Sequence, residues 1–218
     1  MKKTTQRLIE EYKIKRNLYE DFSKAVYGIL NNLLNAKGYK FQITSRTKEL
    51  ASLEKKVNSK SKFYKKLSDV EDLSGIRIVF YLESDIQKFI ADLRKEINGE
   101  LKVEKNNKQN GYKATHLIFG LAENRVSLAE YSKYTGLKCE VQLTQILYHA
   151  WSEIEHDIFY KAPPELEKLD KKTVTDSKKE MKNAMDNYLS NAAGIFEKVV
   201  SKLMRKKVKF PNNNVGKE

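Results

Sequence analysis

The chain has 218 residues, 40% hydrophobic and 33% charged, with one cysteine and a formal net charge of +13. That is the usual size of one domain, with enough apolar material for a core, so a single domain with helical extensions is expected. A lone Cys139 excludes an internal disulfide framework and a cysteine-rich zinc site. The most apolar stretch, Ile76 to Leu82, is broken by Arg77 and falls far short of a bilayer span. Met1-Lys2-Lys3 leads into mixed polar sequence without the apolar core of a signal peptide, so the expectation is a cytoplasmic protein with no membrane partner. The charge is uneven: residues 1–66 hold 17 basic and 6 acidic side chains, a net +11, while residues 67–201 carry −3 and residues 202–218 carry +5. Such a distribution suits polyanionic ligands or a solvated lysine-rich surface.

In chain order, residues 6–35 carry Leu8, Tyr12, Leu18, Phe22, Val26, Leu30 and Leu33 at helical spacing and stop before Lys37-Gly38. Residues 39–44 alternate as a strand, and residues 46–66 read as a basic helix. The β-branched and aromatic run from Gly75 to Leu82 predicts a central strand. An amphipathic helix over 84–97 follows, then a short strand at 101–103, a polar loop from Lys105 to Gly111 and a strand over 114–121. Residues 138–143 alternate cleanly, which puts Glu140 and Gln142 on one face and Cys139, Val141 and Leu143 on the other. A helix over 145–159 ends before Pro163-Pro164, and a last helix runs through Val174, Met181, Met185, Tyr188, Ala192, Ile195, Val199 and Leu203. The tail from Phe210 is expected to be disordered. The fold class is α+β, a mixed sheet of about five strands with flanking helices.

Four segments carry chemistry. On a helix, Lys48, Ser52 and Lys55 share a face with Arg46 at its entry, a cradle of point charges and a hydroxyl for phosphates. Asp72 stands at the entry of the central strand, where a carboxylate can hold Mg²⁺, and Arg77 lies just beyond Gly75. The turn Asn110-Gly111 presents Tyr112 at a strand mouth for stacking on a base, with Lys108 and His116 near by. Glu140 and Gln142 face one side of their strand. Each segment alone also has a plain reading as a solvated helix face, turn chemistry or a hairpin. His149, Glu153 and His156 could share a helical face, but without the His-Glu-x-x-His spacing they read as structural packing.

Taken together and in this order, these residues resemble the synthetase domain of the RelA/SpoT family, especially its single-domain alarmone synthetases. Arg46, Lys48, Ser52 and Lys55 match one family stretch, and Asp72, Gly75 and Arg77 a second. Lys108, Gly111, Tyr112 and His116 match the acceptor loop, and Glu140, Gln142, Trp151, Glu155 and His156 the closing strand and helix. The resemblance covers residues 40–161 and departs at Thr144-Gln145, where the family has an arginine, and at Asn107 and Gln109, where it has prolines.

The resemblance implies a nucleotidyltransferase-like synthetase fold, with an N-terminal helical region (1–38), a synthetase core (39–162), a C-terminal helical extension (163–209) and a tail (210–218). It implies transfer of the β,γ-pyrophosphate of ATP to a ribose 3′-hydroxyl. Arg46 and Arg77 would sandwich the adenine, while Lys48, Ser52 and Lys55 hold the phosphates. Asp72 would bind Mg²⁺, and Glu140 would complete that site or deprotonate the hydroxyl. Lys108, Tyr112, His116 and Gln142 would take the acceptor. That acceptor is GDP or GTP or, as in toxic members, the 3′ end of tRNA. A toxin would bring an antitoxin partner, and the last helix could serve a homo-oligomer. No hydrolase activity is expected, because His156-Asp157 is an isolated dipeptide. A basic RNA-binding module without catalysis is the reading from another class.

Overall fold

Alternation in the central segments builds one five-stranded sheet in the computed structural model, which describes residues 2–59, 62–97, 99–107, 111–160 and 166–206. The strands are β1 (Phe41–Thr47), β2 (Ser74–Phe80), β3 (Lys102–Asn107), β4 (Lys113–Phe119) and β5 (Cys139–Gln145), in the spatial order β1-β2-β5-β4-β3. β2 and β5 pair in parallel and every other neighbouring pair is antiparallel, so the sheet is mixed.

The two faces of the sheet differ in kind. Ile76, Ile78 and Phe80 of β2, Cys139, Val141 and Leu143 of β5, and Leu117 and Phe119 of β4 are all buried on one face. There they meet Phe22, Val26 and Leu30 of α1 (Lys2–Ala36) and Phe89, Ile90 and Leu93 of α3 (Ser84–Ile97). The intervening positions, Arg46, Gly75, Arg77, His116, Glu140 and Gln142, turn to the opposite face. A one-residue slip would exchange the two sets, so burial of the apolar face locks the register. A second core joins Leu8, Tyr12 and Tyr19 of α1 to Leu53 and Val57 of α2 (Leu50–Asn58) and to Leu67, Val70 and Leu73. Much of the basic surface of α1 is paired within the helix: Lys13 with Glu10, Lys15 with Glu11, and Lys24 with Glu20.

Three expectations are corrected. The basic helix over 46–66 is shorter: β1 extends through Arg46 to Thr47, because its pairing with β2 continues to Ser74, and α2 starts only at Leu50. The strand at 101–103 runs on to Asn107, so the first part of the polar loop pairs with β4. The long last helix is interrupted. After α4 (Glu123–Val126) and α5 (Ile146–Glu155), π-helical turns fall at His156–Tyr160 and at Ala184–Leu189, the latter between α6 (Lys171–Asn183) and α7 (Ser190–Arg205). Such a turn rotates the chain beyond it, so Met185 and Ala193 are buried while Tyr188, Ile195 and Val199 are exposed. The tail expected to be disordered lies outside the described residues. Among the described residues, no helix is long and apolar enough to cross a membrane.

Phe89 is fully buried, with ring centroids 5.5 Å from Phe80 and 6.0 Å from Tyr39. Phe89→Ala should therefore lower unfolding free energy by about 3–5 kcal/mol, read as a shifted urea midpoint with an unchanged slope.

Candidate active site

The polar face is organised around the parallel pair β2 and β5. Their register sets Gly75 opposite Glu140 and Arg77 opposite Gln142, while β1 sets Arg46 opposite Gly75 and β4 sets His116 opposite Gln142. The Arg46 side chain lies across Gly75, where an added β-carbon would stand 3.2 Å from Arg46 Cγ. Glycine permits this close approach, since a β-carbon here would make the Arg46 side chain give way by a few tenths of an ångström. Arg77 Nη1 donates to Glu153 Oε1 on α5 at 2.6 Å, and His149 Nδ1 is 3.7 Å from the same oxygen.

Asp72 sits two residues before β2, at the end of the sheet where β5 begins and Glu140 is its second residue. Lys48 Nζ (2.6 Å) and Lys56 Nζ (2.7 Å) both donate to Asp72 Oδ2. Lys48 is aimed there by its backbone, whose N–H bonds Leu73 O and whose carbonyl accepts from the Tyr12 hydroxyl on α1. Asp72 Oδ1 is buried and, among the described residues, has no hydrogen-bond partner. Across the site, Glu140 Oε1 is 3.0 Å from His116 Nδ1, and Glu140 Oε2 accepts from Gln142 Nε2 at 3.1 Å. An ionised carboxylate only accepts, so His116 carries its proton on Nδ1 when neutral. Its Nε2, 3.4 Å from the Tyr112 hydroxyl, is then an acceptor for that phenol.

Burial pushes the Asp72 carboxyl pKa up, but the Lys48 and Lys56 ammonium groups outweigh it and hold the carboxyl below its ordinary value. Glu140 balances the same way: burial raises it, the His116 and Gln142 contacts lower it, the charge of Asp72 opposes them, and the net shift is down. That mutual influence puts the two carboxylates in one electrostatic neighbourhood. Tyr112 is raised by burial and lies within the fields of Arg77, Glu140, Arg46 and Glu153. Burial and then Arg77 push His149 down, against the pull of Glu153. Among the described residues no group of three or more His, Cys, Asp or Glu could hold a metal. A site with one spare buried carboxylate oxygen and a second carboxylate near by fits Mg²⁺, which rarely takes an all-protein cage.

The fold thus brings Arg46, Lys48, Asp72, Arg77, Tyr112, His116, Glu140 and Gln142 to one face and its end. Ser52 and Lys55 are exposed on α2. The expected shared face of Lys48, Ser52 and Lys55 is corrected, because Lys48 precedes the helix and it is Lys56 that reaches Asp72 beside it. Lys56 is one residue past the expected Lys55, and the pairing of Glu153 with Arg77 had no local signal, since the two are 76 positions apart. Lys108 lies outside the described residues.

Asp72 has a depressed pKa when folded, so its stabilising contribution is complete above the unfolded value of about 3.9 and is lost as pH falls through the folded value. Asp72→Asn should cost about 1–3 kcal/mol near neutral pH. The gap between variant and wild type should close as urea titrations are repeated from about pH 5 down to about pH 3.

Comparison with known proteins places the chain in a family. GTP pyrophosphokinase YwaC of Bacillus subtilis (strain 168) is 31% identical over 98 residues, 42% of this chain and 43% of that protein. GTP pyrophosphokinase YjbM of the same strain is 26% identical over 172 residues, 76% of this chain and 77% of that protein. The match thus spans under half the length of the first relative and about three quarters of the second. In fold, the crystal structure of the small alarmone synthetase 1 from Bacillus subtilis superposes with a TM-score of 0.68 at 18% identity, covering 90% of this chain and 99% of that one. Residues 45–165 match the family described as the region found in RelA / SpoT proteins, and the chain belongs to that family.

Proposed function

We infer that the protein is a pyrophosphotransferase that moves the β,γ-pyrophosphate of ATP to the 3′-hydroxyl of GDP or GTP, giving AMP and ppGpp or pppGpp. The observation that carries the reading is a convergence on one polar sheet face in a chain of this family. Two arginines, an aromatic platform and two ionised carboxylates meet there, with a lysine pair on one carboxylate. Two relatives named GTP pyrophosphokinase support it.

On this reading Arg46 and Arg77 bind the adenine between guanidinium planes. Lys48, Ser52 and Lys55 hold the triphosphate, and Lys56 joins them because it meets the same carboxylate as Lys48. Asp72 would hold Mg²⁺, which when bound would neutralise charge on the phosphate oxygens. Tyr112 stacks on the acceptor base, with Lys108 and His116 toward its phosphates. The acceptor 3′-oxygen bonds to the β-phosphorus, and the bond from that phosphorus to the oxygen shared with the α-phosphate breaks, so AMP leaves with that oxygen. Glu140 takes the proton of the 3′-hydroxyl, while His116 and Gln142 hold its carboxylate in place. Phosphoryl transfer needs positioning and charge neutralisation above all, and this residue set supplies both.

A second reading, transfer to the terminal adenosine of tRNA, is favoured by one surface. Lys62, Lys65 and Lys66 are exposed around Phe63, itself 54% exposed, beyond the lysine-bearing helix α2. Cations interleaved with an open aromatic ring suit a nucleic-acid strand.

The test offers γ-³²P-labelled ATP and Mg²⁺ with GDP, GTP or deacylated tRNA in turn. Label is expected on GDP or GTP, with Glu140→Gln slower by about 10²–10⁴-fold and Asp72→Ala inactive. Label on tRNA alone would establish the second reading, and no Asp72-dependent transfer to any acceptor would leave an RNA-binding module.

A further inference from the structure

The C-terminal helices lie outside the residues matched to the family, yet they grip the acceptor side of the site. Gly111 has a φ of +105°, and a β-carbon there would stand 3.2 Å from Trp151 Cζ2 and 3.3 Å from Met185 Cβ. Met185 is fully buried, and Trp151 donates its indole N–H to Met181 O at 2.7 Å. On the other side of Tyr112, Lys113 Nζ donates to Ser190 Oγ at 2.7 Å and sits 5.0 Å from the centroid of the Tyr148 ring. Ser190 in turn donates its hydroxyl to Met185 O at 2.8 Å, and its backbone N–H bonds the same carbonyl across the π-helical turn. Tyr112 packs against the cluster of Tyr148, Trp151, Met185 and Ala193. Residues 111 and 113 are thus anchored, one by packing and one by a charge-assisted hydrogen bond, to the two ends of a single π-helical turn.

We propose that Met185 and Ser190 are positioning residues for the acceptor platform, fixing Gly111-Tyr112-Lys113 so that the C-terminal extension sets affinity for the acceptor and leaves donor affinity alone. The inference rests on reading Tyr112 as that platform. A ring held in its binding pose loses less freedom when the base arrives, so releasing either anchor weakens acceptor binding. The donor residues have other partners: Lys48 and Lys56 are held by Asp72, and Arg77 by Glu153 of α5. The Ser190 hydroxyl both donates and accepts, so Ser190→Ala loses both bonds, while Ser190→Thr keeps them.

The experiment compares wild type, Ser190→Ala, Ser190→Thr and Lys113→Met by KM for the acceptor that takes label, KM for ATP, Tm, and acrylamide quenching of Trp151. This is the chain's single tryptophan, and it lies against Gly111. Ser190→Ala and Lys113→Met should raise the acceptor KM by roughly three- to tenfold, with the ATP KM within about twofold. Ser190→Ala should also make Trp151 more quenchable, and Ser190→Thr should restore both readouts. Equal rises in both KM values with a fall in Tm would overturn the proposal, as would unchanged quenching in Ser190→Ala. If wild type labels no acceptor, the pyrophosphotransferase reading fails, and the quenching comparison alone decides whether the anchors hold the loop.

Discussion

The parallel pairing of β2 with β5 is the constraint on which the site depends. It sets Gly75 beside Glu140 and Arg77 beside Gln142, and the antiparallel neighbours extend the same row to Arg46 and His116. None of these six residues is placed by a loop. Each stands on the polar side of a strand whose other side is buried under α1 and α3, so the energy that fixes the row comes from Ile76, Ile78, Val141 and Leu143 beneath it. Polar groups that contribute little to stability are thereby held to the tolerance of a close-packed core.

Within that frame the electrostatics are asymmetric. Both lysines fall on one oxygen of Asp72 and leave the other buried and bare. Glu140 has both oxygens engaged, by an imidazole and an amide. A carboxylate with a spare buried oxygen is poorly satisfied by protein alone and is suited to an incoming cation. A carboxylate held from both sides keeps its orientation, and on the proposed reading a remaining lone pair takes a proton. The division of labour between the two acidic groups follows from their partners, since both are ionised at neutral pH.

Legibility in the sequence tracked locality. The strand carrying Glu140 and Gln142 was readable because alternation at period two separates faces without tertiary information, and Gly75 to Leu82 announced a central strand by composition. Tyr112 stands at the mouth of β4, as the sequence reading expects, while Asn110 of the expected turn lies outside the described residues. What failed was the boundary at Arg46. A basic, helix-prone run hid the last residues of a strand whose pairing partner is a β-strand away. Lysines 55 and 56 are chemically identical, and only the burial of Leu53 and Val57 decides which turns inward. The interruption at Ala184–Leu189 was invisible, because apolar residues spaced for an α-helix say nothing of a turn widened by one residue.

Two glycines mark where the backbone itself is approached from outside, one on each side of the chemistry. At Gly75 the missing β-carbon lets Arg46 lie against the central strand; at Gly111 it lets Trp151 and Met185 close on the chain next to Tyr112. The first contact is made wholly within residues that match the family. The second reaches beyond them, to the π-helical turn of the C-terminal extension. If family members differ in what they accept more than in what they donate, this is the physical arrangement that permits it. On the proposed reading the donor row is built into the sheet, whereas the acceptor platform is a loop end whose pose is delegated to the C-terminal helices.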